Sequence, residues 1–258
     1  MPSSAEPVRF SERPLVAPLL HLVERCAPCG VALLSAERVR LLERAPGHLE
    51  EVESWELSIF SRDWRERKAQ RVPDPARAQG VSASGHDQFD ERLGENRRRF
   101  LGECGRLAAA VAAERSWPRL LVFGSGDHVA DFRHGVPADG LALEAGGDAD
   151  LISDPLGKVE APVAAALERI DAERDREVVR RALEGAHGGT HGAAGAQEAG
   201  TALEEGRVDR LVFDAGRAAD PERLIRAALA TGAAVSAVEG EVAELLEPAE
   251  GVAALLRY

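Results

Sequence analysis

Short apolar runs separated by polar residues follow one another early in the chain, and their spacing predicts the first elements. Residues 14–26 have apolar positions three or four apart, which predicts an amphipathic helix. Residues 30–35 and 38–43 are short apolar runs with a brief polar connection, which predicts a β-hairpin. A third strand is predicted at residues 49–59, where apolar and polar residues alternate imperfectly.

The clearest predicted element is a long helix at residues 88–115. Its apolar side chains recur on one stripe, while arginines and glutamates occupy the other positions. We expect this stripe to be buried against a sheet. It comprises Phe89, Leu93, Phe100, Cys104, Leu107 and Val111.

A buried strand is predicted at residues 120–123, and a glycine-rich turn at residues 124–128 then leads into another short helix. The turn has Gly-x-Gly after a strand, as some phosphate-binding loops do. It matches neither a P-loop nor a full dinucleotide fingerprint, so we interpret it as a plain strand-to-helix turn.

Helical and strand patterns alternate in the second half of the chain, after a predicted linker at residues 154–158. Such alternation predicts an α/β sandwich of about 100 residues. We therefore expect an α/β protein with two domains, residues 1–156 and 157–258. The predicted helices lie at residues 161–185, 197–205, 221–230 and 241–246, and the strands at residues 208–213, 233–238 and 252–256.

Charge is distributed unevenly along the 258 residues, whose formal net charge is −12. Residues 1–130 carry 19 basic and 19 acidic side chains, whereas residues 131–258 carry 13 and 25. This balance argues against nucleic-acid binding over the whole surface. Residues 62–99 carry 10 basic and 7 acidic side chains, so phosphate contacts are expected there.

A loop of mostly small residues at positions 80–90 leads directly into the long helix, whose first turns carry four arginines. Gly80 and Gly85 permit backbone angles that other residues avoid, so we expect the loop to be exposed. An exposed loop on an arginine-bearing helix suits a polyanionic site, although an ordinary solvated connection has the same pattern. The four arginines are Arg92, Arg97, Arg98 and Arg99.

We expect no metal, no cofactor and no membrane segment. Cys26 and Cys29 have CxxC spacing, but no second pair exists, and we interpret them as incidental thiols at a helix end. His187 and His191 lie four apart, yet glycines intervene and no third ligand is near. No apolar run approaches the roughly 20 residues that span a bilayer, and no secretory signal is recognisable, so we expect a cytoplasmic protein.

The order of these parts resembles the archaeo-eukaryotic peptide-chain release factors, and most closely their bacterial members, which are related to Pelota and the Pelota-like hibernation factors. The strands, loop, arginine-bearing helix and buried strand follow the order of that family's middle domain. Residues 202–213 and 251–258 resemble signatures of its third domain, and the whole resemblance spans residues 30–258. It implies an RNase H-like fold followed by an α/β/α sandwich like that of kink-turn-binding ribosomal proteins.

The family carries Gly-Gly-Gln in the loop, and its glutamine helps to orient water for attack on the peptidyl-tRNA ester. This chain has no Gly-Gly-Gln, so its candidate catalytic residues are Gln88 and the nearby His86, with Gln79 as an alternative glutamine. Gln88 comes late relative to the helix and could belong to the helix start, with Asp87 as N-cap. Residues 1–29 are too few for the family's stop-codon-reading domain, so we do not expect codon-dependent termination.

The first functional hypothesis is a translation factor acting in ribosome rescue or hibernation. Its partners would be the ribosome, through rRNA and tRNA, and another translation factor, but not DNA or a membrane. The loop would enter the tRNA acceptor or catalytic region, where peptidyl-tRNA hydrolysis is the enzymatic variant of this hypothesis. The residues expected to guide it are Arg62, Arg65, Arg67, Lys68, Arg71, Arg97, Arg98 and Arg99.

Two further hypotheses belong to other functional classes. A non-ribosomal protein-binding module that kept the fold and lost the site would suit the acidic second half. An unrelated hydrolase could use His86 and Asp87, but an aspartate cannot normally orient the histidine next to it in sequence.

Overall fold

The computed structural model describes residues 27–57, 84–138 and 140–258. Its contacts divide this part of the chain into two units, Ala27–Glu168 and Arg169–Tyr258. The helix predicted at residues 14–26 lies outside the described residues.

The first unit is built on a five-stranded mixed sheet with the strand order β3-β2-β1-β4-β5. β1 (Cys29–Leu34) pairs antiparallel with β2 (Arg38–Ala45), and β2 pairs antiparallel with β3 (His48–Glu56). On the other side, β4 (Arg119–Phe123) is parallel to β1, and β5 (Ala142–Gly147) is parallel to β4. The predicted hairpin is confirmed, and this arrangement is the RNase H-like sheet that the resemblance implied.

Helix α1 (Ser84–Glu114) packs one face against this sheet. Leu101, Cys104, Ala108 and Ala112 recur at helical spacing and are buried together with strand residues such as Val39. Because three of these four side chains are small, the helix face can lie close to the strands.

The predicted apolar stripe of α1 is confirmed in part. Cys104 is 1% exposed, and Phe100 and Val111 are half-buried against the same core. The prediction is wrong for Leu107, whose side chain is 39% exposed. The stripe was drawn through the largest apolar side chains, whereas the buried face runs through Ala108, one position further along.

Helix α2 (Gly126–Gly135) lies so close to α1 that backbone meets backbone. A Cβ atom added to Gly105 would overlap the carbonyl oxygen of Phe132, and one added to Gly135 would overlap that of Gly102. The side chain of Phe132 is completely buried at this contact. Only glycine fits at Gly105 and Gly135, so these two positions set the distance between the helices.

The buried Arg40 of β2 holds the segment that follows the sheet. Its guanidinium donates to the carbonyl oxygens of Ile152 at 3.1 Å and Asp154 at 2.8 Å. The predicted linker at residues 154–158 is shorter than expected, because α3 (Leu156–His187) begins within it. The division into residues 1–156 and 157–258 stays a prediction, since α3 belongs partly to each unit.

The second unit carries a four-stranded sheet with the order β6-β9-β7-β8. β7 (Val208–Asp214) is parallel to β8 (Ala234–Val238) and antiparallel to β9 (Val252–Leu256), which also pairs with β6 (Gly192–Ala194). The three longer strands are confirmed. β6 was not predicted because Gly-Ala-Ala has no strand-favouring side chain.

Helices cover both faces of this second sheet. α4 (Ala196–Glu204) and α5 (Pro221–Ala230) pack on the face that includes Leu211 and Phe213 of β7. The end of α3 and the short α6 (Gly240–Glu244) pack on the face that includes Val212. The predicted α/β/α sandwich is confirmed.

Replacing Gly105 with alanine is expected to destabilise the first unit by about 3 kcal/mol, because the new methyl group has no space beside the Phe132 carbonyl. Gly94 lies on the same helix with open space around it, so Gly94→Ala should be neutral or stabilise by up to about 1 kcal/mol. Urea unfolding followed by tryptophan fluorescence measures the stability of both variants. The signal reports on the first unit, because Trp117 is buried there and the second unit contains no tryptophan. Equal effects of the two substitutions would contradict the backbone contact.

The Cys104 thiol is expected to be unreactive in the folded protein. Burial raises its pKa to about 12, and the Glu103 carboxylate adds to the rise. Because the reactive thiolate is scarce, alkylation by iodoacetamide should be slow until the first unit unfolds. Mass spectrometry after digestion locates the modified cysteines, and rapid labelling of Cys104 in the native protein would contradict its burial.

The same thiol predicts a pH dependence of stability. The folded state keeps the Cys104 proton above the ordinary pKa of 9.0, whereas the unfolded chain releases it. The unfolded state therefore binds fewer protons, and the free energy of unfolding should fall as the pH rises from about 9 towards 12. Urea unfolding of the wild type and of Cys104→Ala measures the effect, which should be absent in the variant.

Candidate functional site

Many of the predicted site residues lie outside the described part of the chain, so their roles stay predictions. Residues 58–83 contain Arg62, Arg65, Arg67, Lys68, Arg71, Gln79 and Gly80. For the first residues of α1 the structure describes the backbone but not the side chains. These are residues 84–92, which include Gly85, His86, Gln88, Phe89 and Arg92.

The predicted loop at residues 80–90 is wrong over its second part, because α1 begins at Ser84. Both candidate catalytic residues, His86 and Gln88, therefore lie on helical backbone, and Asp87 lies inside the helix rather than at its N-cap.

The three consecutive arginines of α1 lie in different surroundings, because successive helical residues are turned by about 100°. Arg97 pairs with Glu37 of the turn between β1 and β2 at 2.8 Å. Arg99 pairs with Glu95, one turn earlier on α1. No carboxylate in the described ranges pairs with Arg98. The predicted trio is therefore not one uniform patch.

Arg98 and Arg99 line a groove of about 530 Å³ between α1 and α2, which we call the α1–α2 groove. Two glycines, Gly102 and Gly135, meet at its base without side chains, so backbone forms part of the floor. The lining residues are Glu95, Arg98, Arg99, Gly102, Glu103, Arg106, Asp131, His134 and Gly135.

Exposed ion pairs surround the groove. Arg106 pairs with Glu103 at 3.0 Å, and their side chains are 67% and 63% exposed. Arg99, which pairs with Glu95, is 74% exposed. Exposed pairs of this kind contribute about 0–1 kcal/mol each. An anionic ligand could therefore take these guanidinium groups from their carboxylates at little cost.

Two residues of the groove were missed by the sequence analysis. Arg106 follows Arg98 by eight residues, close to two helical turns, so the spacing could have placed both on one face. His134 reaches the groove only because α2 packs against α1, and no local sequence pattern shows that contact.

The turn after β4 is a strand-to-helix turn, as predicted. Gly124 has a φ of +149°, and a Cβ atom added there would lie 3.0 Å from that of Leu34. Glycine at this position therefore serves the close approach to β1. Ser125 is the N-cap of α2 and makes no side-chain capping hydrogen bond.

The described residues contain no group of three or more His, Cys, Asp or Glu side chains that could hold a metal ion. Cys29 and Cys104 are buried thiols. At the end of α3, the Nδ1 atom of His187 lies 2.7 Å from the carbonyl oxygen of Leu183. Among the helices of this same part of the chain, none is both long and apolar enough to cross a membrane.

Known structures share this fold. An archaeal Pelota, from a model of ribosome-bound archaeal Pelota and ABCE1, matches 98% of this chain and 64% of its own, with a TM-score of 0.53 and 16% identity. Dom34 of S. cerevisiae, described as a translation termination-like factor, matches 93% of this chain and 64% of its own, with a TM-score of 0.52 and 9% identity. This chain therefore spans about two thirds of the length of either protein.

Sequence comparison identifies the family. No curated protein matches the chain significantly. The sequence model of bacterial archaeo-eukaryotic release factor family 10 matches residues 14–184, which is more than half of the 258 residues. The matched range includes the sheet of the first unit, α1, α2 and the groove between them. The chain belongs to the bacterial archaeo-eukaryotic release factors, in family 10.

Proposed function

We propose that this protein is a ribosome-associated translation factor that acts in ribosome rescue or hibernation. The family match carries the proposal, because it covers α1 and the basic segment at residues 62–99. The fold shared with Pelota and Dom34 extends along nearly the whole chain and supports a role in translation.

The expected partners are the ribosome and a further translation factor. Among the structural relatives, the archaeal Pelota is described as ribosome-bound together with ABCE1. Dom34 is described as involved in RNA quality control pathways and as interacting with Hbs1. We extend partners of these two kinds to this chain.

Local charge supports contact with RNA although the chain is acidic overall. Residues 62–99 carry 10 basic and 7 acidic side chains, and the described part of this segment includes the exposed Arg98 and Arg99. Guanidinium groups match phosphate oxygens in geometry, and phosphate contacts position a protein on RNA without reading its sequence.

Within this function we favour binding over peptidyl-tRNA hydrolysis. The chain has no Gly-Gly-Gln, and Gln88 lies on the helical backbone of α1. A group that orients the attacking water must lie within hydrogen-bond reach, and a misplacement of about 1 Å can cost on the order of 100-fold in rate. A protein segment that occupies the catalytic region of the ribosome without catalysing peptide release suits hibernation.

A non-ribosomal protein-binding module is the second candidate. It is favoured by one observation, the 13 basic and 25 acidic side chains of residues 131–258. An acidic surface of this kind repels rRNA and would attract a basic protein partner.

Ribosome binding should depend steeply on salt and on the α1 arginines. Cosedimentation measures the affinity for purified bacterial ribosomes. The logarithm of this affinity is expected to fall linearly with the logarithm of the salt concentration, because phosphate contacts release counterions. A variant with Arg97→Gln, Arg98→Glu and Arg99→Glu should bind at least about tenfold more weakly. Glutamine at position 97 avoids placing a second carboxylate beside Glu37.

The folding control for this variant is its circular dichroism spectrum, which should match that of the wild type. Undiminished ribosome binding by the variant would contradict the role of these arginines. Absence of binding by the wild type at low salt would instead favour the protein-binding module.

Release of labelled peptide from stalled ribosomes should not exceed the background rate, because the sequence has no Gly-Gly-Gln motif to orient the attacking water. The wild type, Gln88→Ala and Gln79→Ala should then be indistinguishable in this assay. Rapid release by the wild type that is lost in either variant would identify the protein as a peptidyl-tRNA hydrolase.

A further inference from the structure

We propose that the α1–α2 groove receives a segment of RNA phosphate backbone, and that Arg98 and Arg106 are the side chains that hold it. The choice of RNA rests on the proposed function. The choice of an extended polyanion rests on the groove itself.

The two arginines are spaced to contact separate phosphates. They lie eight residues apart on α1, which corresponds to about 12 Å along the helix axis. Gly102 lies midway between them on the same face and carries no side chain. Together with Gly135 it leaves the floor between the two guanidinium groups open to a ligand.

The charges of the groove are available to a ligand. Arg98 pairs with no carboxylate within the described residues, and the Arg106–Glu103 pair is exposed on both sides. Exchange of an exposed carboxylate for a phosphate costs little, because an ion pair that is exposed on both sides contributes little to stability. Arg99 can be exchanged from Glu95 in the same way.

The lining favours a nucleic-acid backbone over an acidic peptide. Apart from the two glycines, every lining side chain is charged or a histidine, so the groove has no aliphatic side chain and no Phe, Tyr or Trp, and its apolar surface comes from the stems of charged residues and from backbone. Protein partners are usually anchored by aromatic or aliphatic side chains in fitted pockets. A phosphodiester chain needs no such pocket and is held by arginines and exposed backbone.

The carboxylates of the groove oppose this ligand. Glu95 and Glu103 lie on α1 beside the arginines that they pair with, whereas Asp131 is contributed by α2. Removing the Asp131 charge should therefore strengthen RNA binding. A substitution that merely damaged the fold would not have that effect.

The experiment measures fluorescence anisotropy of a labelled RNA hairpin with the full chain over a range of salt concentrations. Arg98→Gln with Arg106→Gln should weaken binding by about tenfold or more and reduce the slope of log affinity against log salt by about two. Asp131→Asn should tighten binding.

A matched control removes two other arginines of the first unit. Arg38 pairs with Glu56, and Arg115 pairs with Glu43; their side chains are 41% and 38% exposed. Arg38→Gln with Arg115→Gln removes the same charge and should bind the hairpin within about twofold of the wild type, since a rim charge away from the contact mainly changes the general field.

The outcomes separate this inference from the proposed function. If the wild type sediments with ribosomes but the Arg98 and Arg106 double variant binds the hairpin and ribosomes equally well, the groove inference is wrong and the proposed function stands. If a labelled polyglutamate peptide binds as tightly as the hairpin and with the same dependence on Arg98 and Arg106, the ligand is an acidic peptide. If the wild type binds neither the hairpin nor ribosomes, both proposals fail together.

Discussion

The backbone contact between α1 and α2 is the constraint on which the candidate site depends. Gly105 lies against the Phe132 carbonyl and Gly135 against the Gly102 carbonyl, so neither helix can move outward without opening a void or inward without a clash. This contact leaves a floor of bare backbone with arginines along one rim. The site is therefore a consequence of helix packing, and its chemistry is added by residues that take no part in the core.

The second unit uses the same kind of contact at another place. A Cβ atom on Gly192 of β6 would overlap the carbonyl oxygen of Ala182 on α3, and one on Gly185 would lie 2.8 Å from the Gly192 nitrogen. Such contacts fit a chain that has 25 glycines and only 4% aromatic residues. With few aromatic side chains available, close packing at these places is reached by bringing backbones together.

The sequence predicts the elements whose apolar residues are large and regularly spaced. β7, β9 and the two strands of the β1–β2 hairpin each contain at least three Val, Leu or Phe residues within a short segment. β5 was not predicted, because Ala-Leu-Glu-Ala-Gly-Gly has no β-branched residue and is a strand only through its pairing with β4. The buried face of α1 was misplaced for a related reason, since Ala108 gives a weaker signal than Leu107.

The candidate site was harder to predict than the fold. Arginines at positions 97, 98 and 99 drew attention as a cluster, yet helical geometry separates them and Arg97 faces Glu37 instead of the groove. The second arginine that we assign to the ligand is Arg106, eight residues after Arg98 on the same helix, and helical spacing alone could have identified it. Helical spacing could not have identified the α2 side of the groove. Asp131 and His134 reach the groove only because α1 and α2 pack closely through their glycines.

An acidic protein can bind a polyanion through local arginines whose existing ion pairs are exposed and weak. The arginines of the groove are not locked by burial. The carboxylate partners of Arg99 and Arg106 are exposed and lie on the same helix, and Arg98 pairs with no carboxylate among the described residues. Arg40 differs from these arginines, because its side chain is only 8% exposed and donates to two backbone carbonyls and to Glu51. A ligand could not bind the Arg40 guanidinium without disturbing the fold. The structure thus separates arginines that hold the chain together from arginines that remain exchangeable, and the exchangeable ones line the α1–α2 groove.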